Sequence, residues 1–355
     1  MRAAMIYGPG DIRIEDIPHP KPEPGEVIVR IRACGICGSD LPRALDGKAH
    51  FYPTVVGHEA AGEIVEIGSK VTKFSPGDRV AVAPLVPCME CEACQLGRYS
   101  LCGQYSFVGS RRQGCMAEYV AIPERSLVPI PKDLSFEQAA MLEPATVPLY
   151  GLLKVGSLAG LSVAVLGVGT IGLFAVMWAK FLGASQVIAV DISDWKLERA
   201  RELGADEVIH SNGLGSAEGG LVGAIKSVTS GAGCDLAVET AGHPITQVQA
   251  VEICANGGKV LYVGTAHEPV HFEPKAFEAI VRKELVIYGS WMSYSAPFPG
   301  REWQIATKAL SDGALDPSAM ITHRFELSDA REAFETLRSC DKAIKVMLFM
   351  DDIQA

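Results

Sequence analysis

Cys88, Cys91, Cys94 and Cys102 follow one another with the spacing C-x2-C-x2-C-x7-C. This spacing restricts the local fold more tightly than anything else in the chain. Four thiolates on one short loop can close a tetrahedral cage around a single zinc ion, with no position left open for a substrate. Disulfide pairing and an iron–sulfur cluster are the other chemistries open to such a set. The stretch MRAAMIYGPGDIRIEDI carries neither the apolar core nor the cleavage pattern of a secretory signal. Six further cysteines (Cys34, Cys37, Cys115, Cys234, Cys254 and Cys340) are scattered without regular spacing. Reduced thiols in a cytoplasmic protein are therefore expected, with structural zinc as the favoured reading of the four.

The chain has 355 residues, of which 48% are hydrophobic and 21% charged, and a net charge of −10. That length is large for one core and suits two domains. No run approaches the roughly 18 apolar residues of a transmembrane helix. The acidic balance speaks against nucleic acid or an anionic membrane as partner, since both need a basic face. It leaves room for a small anionic substrate, which needs only a few local arginines.

Residues 1–150 read as β-rich, with runs such as EVIVRIRAC, AAGEIVEIG and RVAVAP broken by PEPG, SPGD and other turns. From Gly151 to Gly289 the rhythm changes. LSVAVLG, QVIAVD, EVI, CDLAVET, GKVLYVG and LVIYGS read as short apolar strands, most of them separated by helical stretches. Ser193 or Asp194 caps one helix and Gly183 ends another. Such alternation predicts an α/β fold with a doubly wound parallel sheet. SNGLGSAEGG (211–220) reads as a surface loop. Residues 290–355 hold a turn-rich stretch, two helical stretches and a final strand, KAIKVMLFM. This tail is expected to return to the first domain, with chemistry in the cleft between the two.

Gly167, Gly169 and Gly172 form G-x-G-x-x-G directly after a strand and at the start of a helix, with Thr170 and Ile171 between the last two glycines. In that setting the pattern points to a dinucleotide whose pyrophosphate sits at the helix N-terminus. Asp191 ends the next strand. A carboxylate there accepts from both ribose hydroxyls and repels a 2′-phosphate, which favours NAD over NADP.

A second group of possible zinc ligands is Cys37, His58, Glu59 and Glu143. Taken singly, each has an ordinary structural explanation. Together with a nicotinamide cofactor they suggest alcohol oxidation, because zinc with an open position acidifies an alcohol. Asp40 is a candidate partner for the imidazole N–H, and Ser39 a candidate proton relay.

CGICGSD, VVGHEAAGEIVEIGSKVTKFSPGDRV, the four-cysteine loop, GVGTIG and Asp191 before a helix together resemble the zinc-containing medium-chain dehydrogenase/reductase superfamily along essentially the whole chain. The resemblance implies a GroES-like catalytic domain over 1–150, rejoined by 290–355, and a Rossmann NAD-binding domain over 151–289. It implies two zinc ions per chain. The catalytic zinc would lie on Cys37, His58 and Glu143, with Glu59 as an exchangeable carboxylate nearby. Cys88, Cys91, Cys94 and Cys102 would bind the structural zinc. A dimer or tetramer, joined through the edge strand near 285–290, also follows from the resemblance.

Glu143 resembles the polyol dehydrogenase branch, whereas the alcohol dehydrogenases carry Cys there. Pro42 stands where several of them place a relay His, so Ser39 and water would serve instead. SDLPR, YSFVGSRRQG, MLEPATVPLYG and GSWMSYSAPFPGREW resemble the members of that branch that oxidise a hexitol phosphate. Arg43, Arg111 and Arg112 would be the cations for its phosphate, although arginines also pair with surface carboxylates. Trp291 and Tyr294 would line the sugar pocket, or serve packing. The alternatives are an unphosphorylated substrate (L-threonine, sorbitol or 2,3-butanediol) on the same machinery, or a non-catalytic NAD-binding protein that has kept the fold.

Overall fold

A computed structural model describes residues 1–214 and 219–350. Part of the expected loop 211–220 and the end of the tail lie outside these. The chain divides into two compact units, Met1–Glu143 with the chain from Tyr294 onward, and Pro144–Ser293. Gly151, where the sequence rhythm changes, sits inside the helix Leu142–Val155, which also accommodates Pro148.

The first unit is built on a seven-stranded sheet. Its path runs from Ile321–Glu326 through Lys345–Phe349, Glu26–Gly35, Glu59–Ile67 and Arg79–Val82 to Leu127–Pro129, and Tyr119–Pro123 also pairs with Glu26–Gly35. The long strand Glu26–Gly35 is buried almost throughout because it has neighbours on every side. Val27, Val29, Ile31, Ile64, Val80, Ile122, Val346 and Leu348 form one apolar core with Phe334. The tail thus enters the sheet of the first unit in person. Lys345–Phe349 pairs antiparallel with Glu26–Gly35, matching Leu348 to Cys34.

The second unit is a six-stranded parallel sheet in the order Glu207–His210, Gln186–Asp191, Ser162–Leu166, Cys234–Glu239, Cys254–Tyr262, Val286–Gly289. Helices cover both faces, so Val163–Leu166 and Val187–Val190 are buried as unbroken apolar runs. The helix Thr170–Phe181 is buried from Gly172 to Ala179, and the Trp178 indole donates to the Ala145 carbonyl at 2.8 Å. Strand order reverses between Ser162–Leu166 and Cys234–Glu239. In open α/β sheets a ligand crevice forms at that reversal, outside the carboxyl ends of the strands. Ser193 caps the helix Asp194–Glu202, its Oγ accepting from the Lys196 N–H. Among the described residues no helix is long and apolar enough to cross a membrane.

The fingerprint turn is tightly built. Gly167 has φ +86°, a conformation costly for any residue with a Cβ. A Cβ on Gly172 would strike the Gly167 carbonyl and come within 2.8 Å of Thr240 Oγ1. Gly172→Ala is therefore expected to lower the unfolding free energy by about 1–3 kcal/mol. Chemical denaturation measures this, and an unchanged midpoint would show that the turn yields.

Candidate active site and cofactor site

The strand Glu26–Gly35 delivers the chain to Cys37, and the start of the strand Glu59–Ile67 delivers His58 and Glu59 opposite it, Gly35 pairing with Glu59. Gly35 is needed there, because a Cβ would collide with Glu59 Oε2. Donor atoms of Cys37, His58 and Glu59 all lie within 4.8 Å of one another. His58 and Glu59 are buried, as is Asp40. His58 Nδ1 faces Asp40 Oδ1 at 3.3 Å, which leaves Nε2 for a ligand. Asp40 Oδ2 accepts from the Cys37 N–H at 3.1 Å. Phe107 closes the opposite side, edge-on to the imidazole at 5.4 Å between centroids.

The electrostatics of this pocket favour a cation. Burial opposes charge on His58, yet Asp40 and Cys37 outweigh it, and the imidazole stands well above its usual pKa. A pocket that draws a proton onto a buried imidazole also draws a metal ion. Glu143, in the first turn of its helix, is not one of the three clustered donors. Its carboxyl is pushed up to about 7, chiefly by burial, with Glu59 and Asp40 adding to the rise and His58 and Lys345 opposing it. Acid and metal donors are thus crowded together, and zinc chemistry suits the set of one thiolate, one imidazole and carboxylates.

Lys345 is the functional residue that sequence reasoning missed. Its ammonium pairs with Glu59, both side chains 2% exposed, and also donates to the Ile36 carbonyl at 3.1 Å. Nothing in KAIKVMLFM marks this lysine as buried, and only the pairing of the last strand carries it there.

The four-cysteine loop forms the second donor group. Cys88 Sγ lies 3.5 Å from Cys102 Sγ and 3.9 Å from Cys94 Sγ. Those separations match the edge of a tetrahedron with Zn–S of about 2.3 Å and are far from a covalent S–S bond. The Cys91 N–H points at Cys88 Sγ at 3.3 Å, and backbone donors of this kind lower the Cys88 thiol to about 6. Burial instead pushes the Cys94 thiol up to about 12.

In the second unit, a Cβ at Gly169 would meet nothing within 4 Å, so the backbone there lies open to a close-fitting phosphate. Thr170 and Ile171 open the helix beyond it. Asp191 Oδ2 accepts from the Val168 N–H at 2.8 Å, and Oδ1 accepts from Ile192 and Ser193. This carboxylate is held at the strand end, where ribose hydroxyls could be received, and the residues present fit a dinucleotide.

The expected substrate residues fare unevenly. Arg43 donates to Ser39 Oγ at 2.9 Å and reaches Asp40 at 3.4 Å, while the Ser39 hydroxyl lies 3.4 Å from Cys37 Sγ. Arg111 is exposed and sits 4.3 Å over the Tyr105 ring, on the turn that follows Phe107. Arg112 is turned elsewhere, bound to Glu26 at 2.6 Å and to the Ala121 carbonyl, so its charge is neutralised away from the metal donors. Tyr294 is held by contacts of its own. It is buried, its hydroxyl accepts from the Leu85 N–H, and it stacks between Phe298 and Trp303. These contacts bury the apolar area of the ring. Trp291, in the second unit, is 50% exposed.

Residues 23–132 match the alcohol dehydrogenase GroES-like domain family, and residues 170–310 match the zinc-binding dehydrogenase family. The chain is 38% identical over 350 residues to galactitol 1-phosphate 5-dehydrogenase of Escherichia coli (strain K12), covering 98% of this chain and 99% of that one. It is 34% identical to sorbitol dehydrogenase of Bacillus subtilis (strain 168), covering 98% and 97%. The crystal structure of galactitol-1-phosphate dehydrogenase from Escherichia coli superposes with a TM-score of 0.93 at 37% identity, covering 98% of this chain and all of that one. The chain belongs to the zinc-containing medium-chain dehydrogenase/reductase superfamily, in its polyol dehydrogenase branch. It is a zinc- and NAD-dependent oxidoreductase with a GroES-like unit and a Rossmann unit.

Breaking the Lys345–Glu59 pair tests the charge balance of the pocket. Lys345→Met is expected to destabilise the chelated protein by roughly 3–5 kcal/mol, the cost of leaving one buried charge alone. Zinc should recover part of that loss by neutralising Glu59 itself. Denaturation of chelated and zinc-loaded samples reads both values, and identical losses would reduce Lys345 to a packing role.

Proposed function

We propose that this enzyme oxidises a secondary hydroxyl of a hexitol phosphate such as galactitol 1-phosphate, passing hydride to NAD. The observation that carries the reading is the group of Cys37, His58 and Glu59, with Asp40 behind the imidazole, Arg43 against Ser39 and Asp40, and Arg111 on the turn after Phe107. The 38% identity to galactitol 1-phosphate 5-dehydrogenase over nearly the whole chain supports the substrate class.

Cys37, His58 and Glu59 would hold the metal, with Glu143 as a neighbouring acid. Zinc bound there supplies a Lewis acid that makes a substrate hydroxyl more acidic. Asp40 holds the His58 ring in one orientation, with Nε2 turned to the donor group. Ser39 Oγ, beside Cys37 and exposed, is placed to take up the released proton and pass it to water. Arg43 and Arg111 would receive the phosphate, the second from a turn whose neighbour Phe107 abuts His58. Cys88, Cys91, Cys94 and Cys102 would hold the structural zinc. Gly167, Gly169, Thr170, Ile171, Gly172 and Asp191 would receive the dinucleotide. Asp191, already fixed by three backbone donors, disfavours a 2′-phosphate.

The second reading is a free polyol, supported by the 34% identity to a sorbitol dehydrogenase. Arg111→Gln separates the two, because that side chain is exposed and stacks on the Tyr105 ring. For a phosphorylated substrate it is expected to raise KM about tenfold or more, the loss of one charge-assisted hydrogen bond, while KM for galactitol or sorbitol changes little. Equal changes for both would favour the free polyol. Activity that survives complete removal of both metals would overturn the reading altogether.

We also place the enzyme in the cytoplasm, a reading supported by ten cysteines free of disulfides. For the assembly we propose a homodimer or homotetramer joined through the edge strand Val286–Gly289. Val286 and Ile287 are 45% and 43% exposed there, and Phe277 and Val281 on the preceding helix are 59% and 70% exposed. An unpaired edge beside such apolar surface is suited to a second copy. Ile287→Lys is expected to shift the mass measured by light scattering toward the monomer, and an unchanged mass would place the interface elsewhere.

A further inference from the structure

Glu239 is a buried carboxyl that neither the metal donors nor the glycine fingerprint accounts for. It ends the strand Cys234–Glu239, fully buried, and pairs in register with Leu166, the residue before Gly167. Its carbonyl accepts from the N–H groups of Val263 and Gly264 at 2.9 and 3.0 Å. Its side-chain Oε1 accepts from the Gly242 N–H and the Thr246 hydroxyl, both at 2.8 Å. Oε2 is buried without a partner. A Cβ on Gly264 would come within 2.6 Å of that oxygen and would also strike Gly242, so two loops close on this one carboxyl. On the near side, Thr240 Oγ1 donates to the Gly167 carbonyl at 2.5 Å, and a Cβ on Gly167 would lie 2.7 Å from the Ala241 Cβ.

These groups gather at the carboxyl ends of three neighbouring strands, Ser162–Leu166, Cys234–Glu239 and Cys254–Tyr262, the first two of which flank the reversal of strand order where the crevice lies. Burial raises the pKa of Glu239, so it holds its proton more readily than a surface carboxyl.

We propose that Glu239 is a positioning residue for the dinucleotide. Its one buried carboxyl locks the turn 240–243 and the loop 263–265 together beside the fingerprint glycines, and so fixes the crevice that receives the cofactor. This rests on the dinucleotide-binding reading of Gly167, Gly169 and Gly172.

NADH titration of the full-length protein by fluorescence tests it without turnover. Absence of NADH binding by the wild-type protein would overturn the underlying reading, a result distinct from any difference among variants. Glu239→Ala is expected to weaken the NADH Kd about tenfold, or 1.4 kcal/mol, and to raise KM for NAD in step while kcat falls less. Glu239→Gln keeps the Oε1 acceptor and the size of the side chain, and should bind within about twofold of wild type. A folded Ala variant with the wild-type Kd, or a Gln variant as weak as Ala, would overturn the proposal. Where the Ala variant fails to fold, Thr246→Val takes its place, since it removes one donor and leaves the carboxyl. A loss of about threefold supports the proposal, and an unchanged Kd overturns it.

Discussion

Crowding of electron-pair donors in a dry pocket governs the first unit. Cys37, His58, Glu59, Asp40 and Glu143 all bear on one another, and the nearby cations Lys345 and Arg43 answer them only in part. Buried anions are costly unless something positive joins them. The surrounding architecture follows from that constraint. The last strand of the chain comes back to the sheet carrying a lysine to one carboxylate, and a glycine stands opposite so that both side chains fit. The metal completes the balance, which makes its binding a contribution to folding as well as to chemistry.

The second unit answers the reverse need, the reception of an anion without a dedicated side-chain cation. It uses backbone instead. One glycine turns the chain, a second leaves open space, and a third lets helix and strand close up. The N–H groups of the helix start and its dipole then face the crevice. The charged side chain the sequence singles out there, Asp191, is pinned by three N–H groups, a carboxylate better suited to hydroxyls than to phosphate.

Motifs confined to a few residues were legible in the sequence. The four cysteines, the fingerprint, Asp191, and Cys37 with His58 and Glu59 each reside in a short segment whose chemistry has few other uses, and the structure brings the members of each group together. Periodicity located the parallel sheet because its strands are buried on both faces. The substrate arginines were harder to read. Arg111 and Arg112 are neighbours in sequence, yet one stacks on Tyr105 and the other is taken by Glu26, a partner far away along the chain. Tyr294 is hard to read for a similar reason, since an aromatic ring can line a pocket or fill a core, and only the fold supplies its contacts with Leu85, Phe298 and Trp303.

By itself the sequence determined the two-part architecture, the zinc chemistry and the dinucleotide class, because local spacing controls which atoms can share one metal ion or one phosphate. Tertiary structure alone decided that Lys345 answers Glu59 and that Arg112 is withdrawn from the site. It also decided that Glu239 binds two loops together. Each of these depends on strands or loops distant in the chain being laid side by side. The free energy of a buried charge or polar group is set by the neighbours that packing supplies, which no local pattern records.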